Sequence, residues 1–178
     1  AIGQTAQRLL DTGTVQAAEL PLTEVLPQHP APREALMLQL ADVLAGRHDA
    51  YLAEWFRTAP RDRDIWWSYW HEPEDNVESG DFTAQQWRDA YRRIAGLADA
   101  AGNPRLHNTV ILMCWTASPK SGRSVSSFFP GADVVEAMGW DCYAHSTSPY
   151  ANPEDMYGKA FAATRELGLP FGVAETGA

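Results

Sequence analysis

Stretches in which apolar residues recur every three or four positions alternate along this chain with short runs that are apolar throughout. The clearest helical stretch begins at Thr83, which with Gln86 forms a capping box. Trp87, Ala90, Tyr91, Ile94, Leu97 and Ala98 then make one continuous apolar face, and Gly102 and Pro104 end it. A second helix opens at Asn152-Pro153 with Met156, Tyr157, Ala160, Phe161, Thr164 and Leu167 on one face and Gly168 at its close. Earlier, a helix tail is predicted over 5–10, a helix over 32–44, and another capped by Asp49 that carries Tyr51, Leu52, Trp55 and Phe56. A short helix is predicted over 133–138.

The runs between them read as strands: 20–26, 65–70, 109–114, 140–143 and 169–174. The run Thr109-Val110-Ile111-Leu112-Met113-Cys114 is apolar on both faces, as expected of a strand buried in a parallel sheet. Alternating helix and strand is the signature of βα units around such a sheet. The chain is read as one domain over 1–178. An eight-stranded βα barrel typically needs about 250 residues, so the expected fold is α/β, an interior piece of a (β/α)8 TIM barrel. The alternative is a complete five-stranded doubly wound domain, against which stands the lack of a Gly-rich phosphate loop after any strand.

Two of the strand-like runs end in glutamate. The run 65–70 empties into His71-Glu72-Pro73-Glu74, and 169–174 empties into Glu175-Thr176-Gly177. Side chains at the C-terminal ends of parallel strands converge on one rim, where ligands bind. Two carboxyls meeting there can cleave a glycosidic bond, one donating a proton while the other attacks or activates water. The net charge of −9 repels phosphate backbones and argues against nucleic acid as a partner, whereas a neutral polysaccharide meets no such conflict. No apolar stretch approaches the roughly 20 residues of a membrane span. The start, Ala1-Ile2-Gly3-Gln4, has neither an initiator Met nor a signal peptide and reads as processed or truncated. Cys114 and Cys142 each sit in an apolar run and are read as buried free thiols. With no CxxC or HxxxH spacing, no metal and no cofactor are expected. Glu74, Asp75 and Glu78 read as a solvated acidic loop, and His107 as a loop residue.

The segment Trp70-His71-Glu72-Pro73-Glu74-Asp75-Asn76 resembles the acid/base motif of glycoside hydrolase family 26, the β-mannanase-type family of clan A. Gly46-Arg47-His48-Asp49-Ala50-Tyr51-Leu52 is similar to the family's segment before its fourth strand. Phe129-Pro130-Gly131-Ala132-Asp133-Val134-Val135 and Met138-Gly139-Trp140-Asp141-Cys142-Tyr143 resemble its approach to the sixth strand. Val173-Ala174-Glu175-Thr176-Gly177 resembles its seventh. Pro73-Glu74 stands where family mannanases usually carry Met-Asn, which points to a divergent subgroup.

The resemblance implies that strands three to seven are present, and that the protein is a retaining endo-β-glycosidase acting on a β-linked polysaccharide such as β-mannan. It implies Glu72 as general acid then base, His71 as its tuner or a substrate-orienting group, and Glu175 as nucleophile. Tyr143 would hydrogen-bond Glu175. A partly apolar neighbourhood with Trp66, Trp70 and Trp115 would keep Glu72 protonated by desolvation. Trp115 is either core or a platform for a sugar ring, and His145 lies near enough to the rim to be a minor candidate. A secreted protein, monomeric when full length, with no membrane association, is expected. The rival is a catalytically inactive carbohydrate-binding or structural protein on the same barrel. A metal-dependent hydrolase would need His71, Glu72 and one further ligand to converge.

Overall fold

The computed structural model describes residues 16–19, 39–144 and 152–177. Among the described residues, five strands form one sheet: β1 (Gln16–Glu19), β2 (Ile65–Ser68), β3 (Leu106–Met113), β4 (Ala137–Tyr143) and β5 (Phe171–Gly177). Their spatial order is their order in sequence, and each pairs parallel with the next. A parallel neighbour can be reached only by a crossover, and crossovers in one sheet are almost always right-handed. With no reversal in strand order, the crossovers all fall on the same face of the sheet. The doubly wound alternative requires a reversal and does not hold. The sheet is instead part of a curled, barrel-like wall with its helices outside.

Those helices are α1 (Asp49–Thr58), α2 (Glu74–Ser79), α3 (Ala84–Ala100) and α4 (Pro153–Glu166), with a further helical stretch at 39–44. The core lies between them and the outward side chains of the strands. Trp67 of β2 is buried between Phe56 of α1, 5.0 Å away between ring centroids, and Tyr91 of α3, at 5.8 Å. Aromatic side chains of this size supply much of the apolar area removed from water, roughly 150–250 Å² each. Trp140 of β4 is also fully buried, and its indole N–H donates to Thr164 Oγ1 of α4 at 2.7 Å, so the polar atom of a core tryptophan is satisfied.

The capping box of α3 is present. Gln86 N–H donates to Thr83 Oγ1 and Thr83 N–H donates to Gln86 Oε1. Trp87, Ala90, Tyr91, Ile94 and Ala98 are buried, as the periodicity predicts. Asn152 caps α4, with Pro153 in its first turn. Trp87 is buried and Trp55 packs against Phe56, both within the helical layer.

Several elements differ from the sequence expectation. The strand expected over 20–26 and the helix tail over 5–10 lie outside the described residues. β1 instead occupies Gln16-Ala17-Ala18-Glu19, a stretch with no β-branched residue that forms because β2 offers a parallel edge. Asp49 is the first residue of α1 rather than its cap, and its carboxylate pairs with Arg93 of α3 at 2.5 Å. His107 is not in a loop: β3 starts at Leu106, and the His107 ring stacks on Trp66 of β2 at 4.4 Å and lies 3.2 Å from Asp64 and 3.6 Å from Glu136. No helix forms over 133–138. Asn108 and Glu136 hold that segment to β3 instead, through Glu136 N–H to Asn108 O and Asn108 N–H to Glu136 Oε2.

Cys114 and Cys142 are joined in a disulfide, with their Cα atoms 5.0 Å apart, and are not free thiols. The register explains it. Met113 pairs with Asp141, so the next residues on the two parallel strands are brought side by side. A bridge across 28 residues of sequence constrains the unfolded chain substantially. Replacing both cysteines by alanine should lower unfolding free energy by about 3–4 kcal/mol, measured by urea denaturation of the full chain. An unchanged midpoint would mean that the bridge contributes nothing.

Candidate active site

β2 ends at Ser68, and the chain then passes through Tyr69, Trp70 and His71 to Glu72. Trp70 and Glu72 both have φ of 51°, in the left-handed region that non-glycine residues seldom enter. Conformations of this kind persist only where surrounding contacts over-determine them, and they cluster at functional sites. Here Glu72 N–H donates to Ile111 O of β3 at 3.0 Å, which fixes the turn against the neighbouring strand. Three strands along from β2, Glu175 lies near the end of β5, opposite Asp141 of β4, where a register shift interrupts the ladder. Such irregularities re-aim side chains at the rims of barrels. Tyr143 is two residues beyond Asp141 and so shares its face of β4. Its hydroxyl donates to Glu175 Oε2. That bond, above all, holds the phenol proton, pushing its pKa well up.

Glu72 is half-buried, and its pKa is raised above the ordinary carboxylate value. Burial is the main cause; the charges of Glu175 and Asp75 add to it, while His71 opposes it. Asp141 is only 3% exposed, and its pKa is pushed up to about 7, first by burial and then by the neighbouring Glu175 and Glu72, again opposed by His71. Glu72 and Asp141 are close enough for their carboxyls to share a proton. Three carboxyls and an imidazole therefore meet within electrostatic reach of one another at the C-terminal ends of β2, β4 and β5.

Of the residues picked from sequence, Glu72, His71, Glu175 and Tyr143 fall into this cluster. Trp115 lies in the 3-10 turn Cys114–Ala117 that follows β3 and is 50% exposed, so it is not core. His145 lies outside the described residues. Trp66 is stacked on His107, and Trp70 packs on Phe82 at 5.1 Å while its indole N–H donates to Asn76, so the expected tryptophan setting for Glu72 is not what these two provide. The acidic loop is not uniformly solvated. Asp75 and Glu78 are exposed and both pair with Arg123, at 2.6 and 2.7 Å. Glu74, however, is fully buried as the first residue of α2. Asp141 was not singled out in the sequence. The signal was there, because alternation along Trp140-Asp141-Cys142-Tyr143 puts Asp141 on the same face as Tyr143.

His71, Glu72 and Asp141 can each offer one ligand atom, all within 4.8 Å of one another, the one such group among the described residues. Asp141 is thus the third ligand that a metal-dependent reading requires.

The fold and site together define an α/β protein with a parallel, barrel-like wall and an acidic cluster on the strand C-terminal rim. Among solved structures, the chain is similar to a family 26 β-mannanase from Bacteroides ovatus, BoMan26A, with a TM-score of 0.57 at 15% sequence identity. The likeness covers 79% of this chain and 44% of that one, so the chain spans less than half the mannanase's length. At that identity the likeness shows the fold alone. No family model matches the chain, and no curated protein matches it.

The buried Asp141 sets a pH dependence of stability. Its folded pKa is raised above the unfolded value of 3.8, so ionising it in the fold costs stability above about pH 7, and that cost disappears as pH falls toward the unfolded value. Asp141→Asn should therefore raise the melting temperature at about pH 8, with the gap to wild type closing toward about pH 5. Thermal melts across this range decide it; a gap independent of pH would exclude Asp141 as the source.

Proposed function

We propose that this chain carries the catalytic carboxyls of a retaining β-glycosidase, with Glu72 as general acid and base and Glu175 as nucleophile. The observation that carries the reading is the meeting of Glu72 and Glu175 on one rim, within electrostatic reach of each other. Burial favours the protonated form of Glu72, which suits a proton donor near neutral pH. Glu175 accepts a hydrogen bond from the Tyr143 hydroxyl, which orients its carboxyl on the rim. Glu175 attacks the anomeric carbon while Glu72 delivers its proton to the leaving oxygen. Water, deprotonated by Glu72, then releases the sugar with net retention. His71 and Asp141 flank Glu72 and tune its proton, and the exposed indole of Trp115 offers an apolar face on which a sugar ring can stack.

In this reading the five strands are the third to seventh of an eight-stranded barrel, and the substrate is a β-linked polysaccharide of the mannan type. The likeness to a β-mannanase supports that substrate class. The disulfide supports a secreted protein, because such bonds persist in oxidising compartments. The mechanism needs no cofactor and no second subunit. The inactive carbohydrate-binding alternative leaves the two rim carboxyls without a role.

A second reading follows from His71, Glu72 and Asp141, whose convergence suits a divalent cation in a metal-dependent hydrolase. Chelator treatment separates the two. Activity on a chromogenic glycoside should survive it, and loss of activity restored by a divalent metal would favour the metal reading.

The division of labour is tested by substitution in the full-length protein. Glu175→Ala should abolish turnover of all glycosides, and azide should partly restore it with inversion, because a small anion replaces the missing nucleophile. Glu72→Ala should lose least on aryl glycosides with good leaving groups, which need little protonation. Equal losses on every substrate for both variants would mean the roles are misassigned.

A further inference from the structure

Glu74 has no part in the chemistry proposed above, yet among the described residues it is the one carboxylate that is fully buried, at 0% exposure, two residues from the proposed acid. Its Oε1 accepts two hydrogen bonds, from Met113 N–H at 2.9 Å and from Thr116 Oγ1–H at 2.7 Å. Its Oε2 is buried with no hydrogen-bond partner. Removing a carboxylate from water is costly, and burial raises the pKa of this one. Stability alone would favour an apolar residue at such a position. Something about the geometry it imposes has to offset that cost.

That geometry follows from the edges of β2 and β3. Regular pairing between them runs from Ile65↔Leu106 to Trp67↔Asn108. Beyond it, β3 continues to Met113 while the other chain turns away through the left-handed residues Trp70 and Glu72. Glu72 N–H still reaches Ile111 O. Two residues further on each chain, the Glu74 side chain takes the Met113 N–H that a strand carbonyl would otherwise have taken. The carboxylate therefore stands in for backbone, closing the ladder while leaving the chain free to turn and present Glu72. Its second donor, Thr116, belongs to the 3-10 turn Cys114–Ala117, which also carries the exposed Trp115. One buried oxygen thus ties the turn that holds Glu72 to the turn that holds Trp115.

We propose that Glu74 is a positioning residue, which sets the proton donor Glu72 and the Trp115 platform at a fixed separation through Met113 N–H and Thr116 Oγ1–H. The proposal deepens the glycosidase reading and, in its catalytic part, rests on it. The acceptor oxygen is what matters, so Glu74→Gln keeps the arrangement and Glu74→Ala loses it.

The test joins two measurements on the full chain. In the first, hydrogen exchange at the Met113 amide should be at least about tenfold faster in Glu74→Ala than in wild type, and close to wild type in Glu74→Gln. In the second, glycoside hydrolysis is compared between a poor leaving group, which needs the Glu72 proton, and a dinitrophenyl leaving group, which does not. Glu74→Ala should lower kcat about a hundredfold on the first and less than about threefold on the second, since a displaced acid harms only the protonated step. Glu74→Gln should restore the first. If Glu74→Ala does not fold, Thr116→Val removes one of the two donors and should show the same split at about tenfold.

Unchanged Met113 exchange, or equal losses on both leaving groups, would overturn the proposal, because a merely destabilised protein loses activity on all substrates alike. A wild type inactive on both substrates would instead overturn the glycosidase reading, while Met113 exchange would still decide whether Glu74 holds the two turns together.

Discussion

Because each strand pairs parallel to its successor in sequence, every return of the chain has to be made by a crossover, and handedness sends those crossovers to one face of the sheet. That single constraint creates the site. It directs all five strand C-termini to one rim, and it leaves the inner face of the sheet to side chains from the strands alone. Glu72, Asp141, Tyr143 and Glu175 come from β2, β4 and β5 or their ends, and none is close to all the others in sequence. The parallel register then does finer work. Placing Met113 opposite Asp141 puts Cys114 beside Cys142, and the shifted β4–β5 register puts Asp141 opposite Glu175.

Crowding carboxyls on this rim runs against desolvation and like-charge repulsion, and the structure shows how the cost is distributed. Asp141 bears most of it, with its pKa pushed to about 7, and Glu72 bears less because it remains half-exposed beside His71. Pairs of titratable groups with unequal environments are how acid and base roles are separated within one site. A fold selected for stability alone would not keep Asp141 buried beside two like-charged carboxyls.

Precision at the rim comes from ties between loops rather than from the sheet itself. The turn into Glu72 holds two left-handed residues against Ile111 O. Arg123, reaching from the loop after β3, pairs with Asp75 and Glu78 of α2. Pairs whose carboxylates face solvent contribute little stability individually, but these link the α2 turn to the adjacent loop at the same end as the buried Glu74 contacts. The disulfide fastens the ends of β3 and β4 beside Asp141. These ties act on the segments that would otherwise be the most mobile parts of a βα wall.

Periodicity alone determined the helices α3 and α4 with their caps, the apolar strand β3, the alternation of helix and strand, and the two glutamates that end strand-like runs. These are local properties, encoded by residues within a turn or two of one another. Other features are carried by contacts distant in sequence, and only the tertiary structure decided them. β1 exists because β2 offers it an edge, although Gln16-Ala17-Ala18-Glu19 has little strand propensity of its own. The Cys114–Cys142 bond depends on register, which composition does not reveal. The burial of Glu74 depends on Met113 and Thr116 arriving from another strand end. Asp141 has a visible alternation on β4, but its crowding against Glu72 arises only where β2 and β4 curl toward each other. Burial and charge proximity are sums over neighbours in space, and the sequence specifies those neighbours only through the fold.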